Sequence, residues 1–477
     1  MYPKERRPRR LYSDILRCFS RKQHRESFEV FLDLLLDGSG RPLPERATVK
    51  SPAALSRFLN HAAWNTRQLC RVMRRHAQET LQDFWRQQPH QRPRLDLLVD
   101  LTSLEKTGKF SELADWVHTF NSVHGVHLVV LYLCCGELRL PWAFQVWRGK
   151  GSPSPAQLAL KLLRTVPAAL LAGKRRPRLH ADGGFESAQF IQGVLSRGLD
   201  IVVGVRCTRK LEDSRQMRDL IVRGSLVKPS GLDQTMCVSW VWLYRNKEPE
   251  QRFVMSNLNL GGKYLARLGR RRWRIEAFFK TVKGRFGLER FAQHSNQGVM
   301  RWWCLSGMAF LLCHFQNLDL PVEVPGTWPD WGRLARTVRF SFVPEVRRRA
   351  LQLELQALDT FQHALTPLDT QTARCQVSQV AGRRMLGHQA HSFRSARTNG
   401  AGARNTLPRL APCFGRYLTV SSWSIPIRAC SMPFLLATKH TTAYWPGVRF
   451  QVTSSAWPVV STWAKTECPK STGGGPD

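Results

Sequence analysis

Three acidic residues stand out by where they fall in the chain. Asp100 closes the apolar run Leu-Asp-Leu-Leu-Val-Asp, and Asp182 closes Arg-Leu-His-Ala-Asp just before two glycines. Glu276 lies inside Arg-Arg-Trp-Arg-Ile-Glu-Ala-Phe-Phe-Lys. Carboxylates are the natural ligands of hard divalent cations such as Mg²⁺, which keep several waters and so need only a few Asp and Glu. Two such ions about 4 Å apart can activate an attacking oxygen and stabilise a leaving one in a phosphodiester displacement. For Asp100 the plain alternative is an aspartate in a strand-ending turn. Asp96 competes with it, but a mid-strand position would bury Asp96.

The surroundings of Glu276 add cations. Arg272, Glu276, Lys280 and Lys283 follow at offsets of four, four and three, which puts them on one stripe of a helix. Trp273, Ile275, Phe278 and Phe279 give the same helix enough apolar surface to pack into a core. A merely solvated face of ion pairs is the bland account of the stripe. Cations beside a carboxylate on a packed helix suit a site that holds phosphate and metal together.

These residues need elements to position them. Residues 95–100 read as a first strand ending at Asp100; Val126–Cys135 and Leu138–Trp147 read as two more, joined by a turn at Gly136-Glu137. Ser154-Pro155 opens a leucine-rich helix, Arg178–Asp182 is a short strand, and a helix around Ser187–Ser196 leads to a strand at Ile201–Arg206. A strand-rich and turn-rich stretch at about 212–258 precedes one long helix from about Lys263 to Arg285, and a second apolar helix spans roughly Gln297–His314. Three strands, helix, strand, helix, strand, helix is the order of an α/β ribonuclease H-like core, here carrying a β-rich insertion. In that sheet the carboxylates come from the first strand, the fourth strand and a later helix.

Upstream, residues 1–92 are helical and basic. Ser51-Pro52 caps one helix, and a second carries Arg67, Arg71, Arg74 and Arg75 beyond a break at Asn60–Asn65. The pair has the pattern of a helix-turn-helix reader; a plain helical hairpin fits equally. Downstream, 321–369 reads as a helical extension. Residues 370–477 form a basic tail without a single Asp or Glu between Thr370 and Thr466, where ordinary composition supplies about nine or ten. It is either a nucleic-acid-binding tail or the product of a frameshift. The second is favoured, because solvating tails seldom carry so many Trp, Phe and Ile.

The helix around Glu276 resembles the third conserved block of cut-and-paste insertion-sequence transposases of the DDE class. That block reads Tyr, two residues, Arg, three residues, Glu, six residues, Lys. Arg272, Glu276 and Lys283 match its spacing, and Gly269 stands at the tyrosine position, with Tyr264 more than a turn away. The segments around Asp100 and Asp182 are similar to the first two blocks, and Leu55–Leu59 is similar to the N-terminal helical region. The resemblance covers about residues 25–320 and implies that 93–320 is the catalytic domain. It implies that Asp100, Asp182 and Glu276 bind two Mg²⁺ ions, which Mn²⁺ can replace, and that Arg272, Lys280 and Lys283 hold DNA phosphate. It further implies DNA cleavage and strand transfer at element ends, with no nucleotide cofactor. In the insertion Trp240, Trp242 and Tyr244 alternate on one strand face. The family stacks a flipped base on an aromatic there, which makes Trp240 and Trp242 stacking candidates; covering the insertion's own core is the alternative for each.

Composition agrees with such a partner. With 72 Lys+Arg against 35 Asp+Glu the chain carries +37, a charge that calls for a polyanion. Double-stranded DNA, at the element ends and at the target, is the expected partner, in a homodimer because the task has two ends. An anionic membrane is the alternative, but no polybasic run adjoins an amphipathic anchor, no stretch approaches the ~18 apolar residues of a span, and the first residues lack a signal-peptide core. A cytoplasmic, nucleoid-associated protein is expected, its scattered cysteines buried as free thiols. Two other functions remain open: a DNA-binding relic that has lost catalysis, and a nuclease of the same fold that cuts without joining.

Overall fold

Four helices open the chain in the computed structural model: α1 (Arg7–Leu16), α2 (Lys22–Leu35), α3 (Pro52–Asn60) and α4 (Thr66–Gln87). The structure describes residues 7–38, 42–107, 112–172, 175–245, 248–293, 295–320, 329–365, 442–445 and 448–451. Ser51 caps α3 by accepting the Ala54 N–H, and Asn65 caps α4 by accepting from Arg67 and Gln68. The corner between these helices is pinned from below. Arg301, fully buried, donates to the carbonyls of Leu59 and Trp64 at 2.7 Å and of Ala62 at 2.8 Å. The carbonyls at the end of α3 thereby find a partner away from water.

The sheet begins with β1 (Asp96–Glu105), β2 (Val117–Phe120), β3 (Val123–Cys135) and β4 (Leu138–Trp147), followed by α5 (Pro155–Leu163) and the short α6 (Ala168–Leu171). Next come β5 (Arg178–Ala181), α7 (Ala188–Leu195) and β6 (Asp200–Val205). β3 is buried along its apolar length and pairs with β1 on one edge and with both β2 and β4 on the other. β1, β5 and β6 run parallel, so the order from β4 reads β4-β3-β1-β5-β6. Parallel strands need crossovers, which α5 and α7 provide between β4, β5 and β6. Ser154 and Gln157 form a capping box at the start of α5.

Beyond β6 the insertion lengthens the sheet by β9 (Glu248–Ser256), β8 (Met236–Arg245) and β7 (Ser225–Val227), all antiparallel. Then follow α8 (Gly262–Arg270), α9 (Trp273–Gly284), α10 (Asn296–Asp319), α11 (Trp331–Phe342) and α12 (Pro344–Leu365). Val202, Cys237 and Val254 of the strands pack with Leu265 and Leu268 of α8 as a small core of their own. The remaining helices share the large core, in which Trp302, Trp303, Phe310 and Phe315 of α10 are buried. The chain is therefore a mixed α/β protein. Among the described residues no helix is long and apolar enough to cross a membrane.

Three expectations need correction. The first strand does not stop at Asp100 but runs on to Glu105, because Leu101 to Glu105 continue to pair with β3. The long helix is two helices, α8 and α9. At the joint, Arg271 donates to the Leu268 carbonyl, Arg274 to that of Arg271 and Ile275 to that of Arg272, a tighter three-residue spacing that interrupts the α-helix. Trp273, at the start of α9, is 53% exposed, although Ile275, Phe278 and Phe279 are buried as expected.

The chain divides into two compact units, residues 1–387 and 388–477. In the second, β10 (Thr442–Trp445) pairs antiparallel with β11 (Val448–Gln451). The rest of the acid-free tail lies outside the described residues.

Candidate active site

Side chains alternate along a strand, so Asp96, Leu98, Asp100 and Thr102 of β1 share one face. Asp100 is only 7% exposed. Its Oδ1 accepts the Leu101 N–H at 2.9 Å, and its Oδ2 accepts from Arg272 Nη1 at 2.6 Å. The other arm of the same guanidinium, Nη2, donates to Glu276 Oε1 at 2.7 Å. One arginine thus joins the strand carboxylate to the helix carboxylate.

Asp182 arrives by a different route. The parallel pairing of β1 with β5 sets Val99 beside Ala181, so the next residues, Asp100 and Asp182, stand side by side where β5 ends. Asp182 Oδ1 accepts the Gly184 N–H at 2.9 Å and starts the single turn Gly183–Phe185. This turn lies close over β6: a Cβ on Gly204 would come within 2.9 Å of the Gly183 nitrogen. Only a glycine leaves room for the loop that presents Asp182.

The three carboxylates feel one another. Burial first of all pushes the Asp100 carboxyl up to about 7; Arg272 opposes this, and the negative charges of Asp182 and Glu276 add to it. Burial alone would weaken the charge on Arg272, but Asp100, Glu276 and Asp182 more than offset it and hold the guanidinium pKa above its ordinary value. Negative charge has been gathered at one place. The donor set, carboxylate oxygens alone, is what a hard divalent cation takes. In the geometry described, Arg272 supplies the positive charge, and among the described residues no group of three His, Cys, Asp and Glu is spaced to hold a metal ion.

The other residues of the stripe separate. Lys283 Nζ donates to the Ser103 carbonyl at 2.7 Å, on the same strand as Asp100, and burial lowers its pKa. Lys280 is exposed to solvent. In the insertion Trp240 is buried against Phe253, with the Arg223 guanidinium 5.5 Å from its ring, whereas Trp242 is 46% exposed. Of the two stacking candidates only Trp242 offers a ring to solvent; Trp240 covers the insertion's own core. The side chain of Tyr244 lies outside the described residues. Gly269 packs on Val254 of β9, where an added Cβ would come 3.2 Å from its Cγ2. Any side chain there would need Val254 to give way by a few tenths of an ångström.

Sequence reasoning overlooked one group. Asp96 is no rival of Asp100 but the centre of a separate buried cluster with Arg178, His180 and Arg271. Strand alternation was the available signal, since Asp96 shares its face with Asp100, and Arg178 shares its face with His180.

Residues 91–312 match the family model described as "Transposase DDE domain". A solved structure, the cryo-EM structure of a piggyBac transposase synaptic complex with hairpin DNA, is similar at a TM-score of 0.39 and 11% identity, covering 69% of this chain and 73% of that one. No curated protein matches the chain. The matched segment contains Asp100, Asp182, Arg272 and Glu276, so this part of the chain is similar to a transposase DDE domain.

Proposed function

We propose that this protein is a DNA transposase that cuts DNA at the ends of an insertion sequence and transfers the freed strands to target DNA. The observation that carries this is the meeting of Asp100, Asp182 and Glu276 around Arg272 within the transposase DDE domain. The strand order β4-β3-β1-β5-β6 supports a ribonuclease H-like core at 93–320, with the insertion at about 212–258. Residues 1–92 would supply the helical DNA-binding part, 321–369 a helical extension and 370–477 an appended tail.

In this reading Asp100, Asp182 and Glu276 hold a pair of Mg²⁺ ions, for which Mn²⁺ can substitute. When bound, such ions make water a nucleophile at neutral pH and stabilise the departing oxygen. Arg272 releases its carboxylates and turns to the phosphate, next to Lys283; Lys280, free at the surface, meets the backbone further out. Trp242 stacks an unpaired base. Two element ends call for two protomers, so a homodimer on double-stranded DNA is expected.

The test is incubation of the purified chain with labelled element ends and Mg²⁺ or Mn²⁺. Cleavage and joined products, both abolished by Glu276→Gln while binding persists, are expected. Nicks that never join would identify a nuclease. Binding without cleavage by the unaltered chain would identify a DNA-binding relic, the reading that Gly269 favours because it stands where a tyrosine is expected.

A further inference from the structure

A second cationic site lies at the start of β1, one step along the strand from the carboxylates already described. A cleft of about 570 Å³ is lined there by Arg94, Arg175, Arg178, Arg271 and Arg274, with Asp96 among them. Asp96 accepts from Arg178 Nη2 at 2.9 Å, His180 Nε2 at 3.2 Å and Arg271 Nη1 at 3.1 Å, and lies 3.7 Å from Arg274 Nη1. Arg94 pairs with Asp200. Arg175 is exposed and has no hydrogen bond or ion pair among the described residues. Five guanidinium groups therefore face two carboxylates, and three positive charges are left uncompensated.

A purely structural ion cluster would be balanced, because charge withdrawn from water without a partner is costly. Crowding leaves its mark here. Burial first, and then the neighbouring Arg178, lowers the pKa of Arg94. Such a cleft is short of an anion. The ligand that suits planar, forked donors on several sides is a phosphate group.

Position narrows the choice. Asp96 and Asp100 are four residues apart on β1, about 13 Å at roughly 3.3 Å per residue. Arg271 serves the cleft and Arg272 serves Asp100, so the two sites share one wall. A DNA strand advances about 3.4 Å per nucleotide along the duplex axis, which spans that distance in about four nucleotides. We propose that the arginine cleft is a second phosphate site, gripping the DNA backbone a few nucleotides from the position cut at Asp100; this rests on the transposase reading above. None of its arginines belongs to the Arg272–Glu276–Lys283 motif.

The experiment measures binding of an element-end duplex to the full chain by fluorescence anisotropy over a salt series. Each phosphate contact contributes about 0.9 to the slope of log K against log salt. Arg175→Ala should make the slope shallower by about 0.9, Arg175→Ala with Arg274→Ala by about twice that, and Arg175→Lys should keep it. Arg175 is exposed, so its single variant decides the matter even if the double variant fails to fold. An unchanged slope in Arg175→Ala overturns the site. A parallel calorimetric titration with inorganic pyrophosphate separates the sources: pyrophosphate binding lost in Arg175→Ala with an unchanged DNA slope would assign the cleft to a free polyphosphate and overturn the DNA backbone. If the unaltered chain binds no DNA, the transposase reading fails along with this one, whereas an unchanged slope in a chain that binds DNA sinks only the cleft.

Discussion

Arg271 and Arg272 are neighbours in the chain, yet they hold different carboxylates of one strand: Arg271 donates to Asp96 at 3.1 Å and Arg272 to Asp100 at 2.6 Å. Both lie at the joint between α8 and α9. Adjacent side chains point about 100° apart on an α-helix and about 120° apart on a three-residue turn, so the two guanidinium groups reach β1 from the joint by the length of their side chains. α9 is thereby tied to the strand where Arg272 links Glu276 to Asp100.

Arg272 should matter more for stability as pH rises. The Asp100 carboxyl, at about 7 in the folded chain against 3.8 ordinarily, binds a proton in the native state that the unfolded chain has lost. Stability therefore falls as pH rises through that window, and the attraction of Arg272 limits the loss. Arg272→Ala should be close to the parent near pH 5 and less stable by about 2–3 kcal/mol near pH 8.5, allowing for partial exposure of the pair. Urea unfolding of the metal-free protein at the two pH values measures this; a loss independent of pH would count against the coupling.

The two tryptophans of β8 should behave in opposite ways. Trp240 is buried, and Trp240→Ala should cost about 3–5 kcal/mol in unfolding experiments. Trp242 is open to solvent, and Trp242→Ala should leave the melting temperature nearly unchanged while weakening binding to element ends by about 1–3 kcal/mol. Equal binding by Trp242→Ala and the parent would remove it as a stacking residue.

Installing the family's tyrosine should not help. Gly269→Tyr brings a large side chain against Val254, where even a Cβ sits at 3.2 Å. Forcing it in should destabilise the chain by about 1–3 kcal/mol without raising cleavage. Thermal melts and a cleavage assay on the same preparation decide this, and a gain in cleavage would show that the packing yields.

His314 on α10 sets an acid limit. Burial, with Arg139 and Arg7 nearby, pushes its pKa down to about 3, and its neutral Nε2 accepts the Arg139 backbone N–H at 2.9 Å. A folded value below the ordinary 6.5 means stability that is complete above 6.5 and lost as pH falls towards 3. The slope from this group approaches about 1.4 kcal/mol per pH unit. His314→Gln, which keeps an acceptor but cannot titrate, should show a flatter pH profile in denaturant titrations.

Much of the architecture was legible in the sequence because its causes are local. Apolar runs mark β3 and β4, and Ser51, Ser154 and Ser187 accept the backbone N–H groups that open α3, α5 and α7. The spacing of Arg272, Glu276 and Lys283 could be read directly, and so could the apolar runs that lead into Asp100 and Asp182. What only the tertiary structure decided involves residues far apart in the chain. The register of β1 on β5 sets Asp182 beside Asp100, 82 positions away, and Arg272 reaches Asp100 across 172 positions. Two tryptophans of identical local pattern part ways because one meets Phe253 and the other does not. The break at Arg271 and Arg272 carries no glycine or proline of its own to announce it. Periodicity reports which face of an element is apolar; which partner that face meets depends on sheet order and packing, and there the arginines found their separate carboxylates.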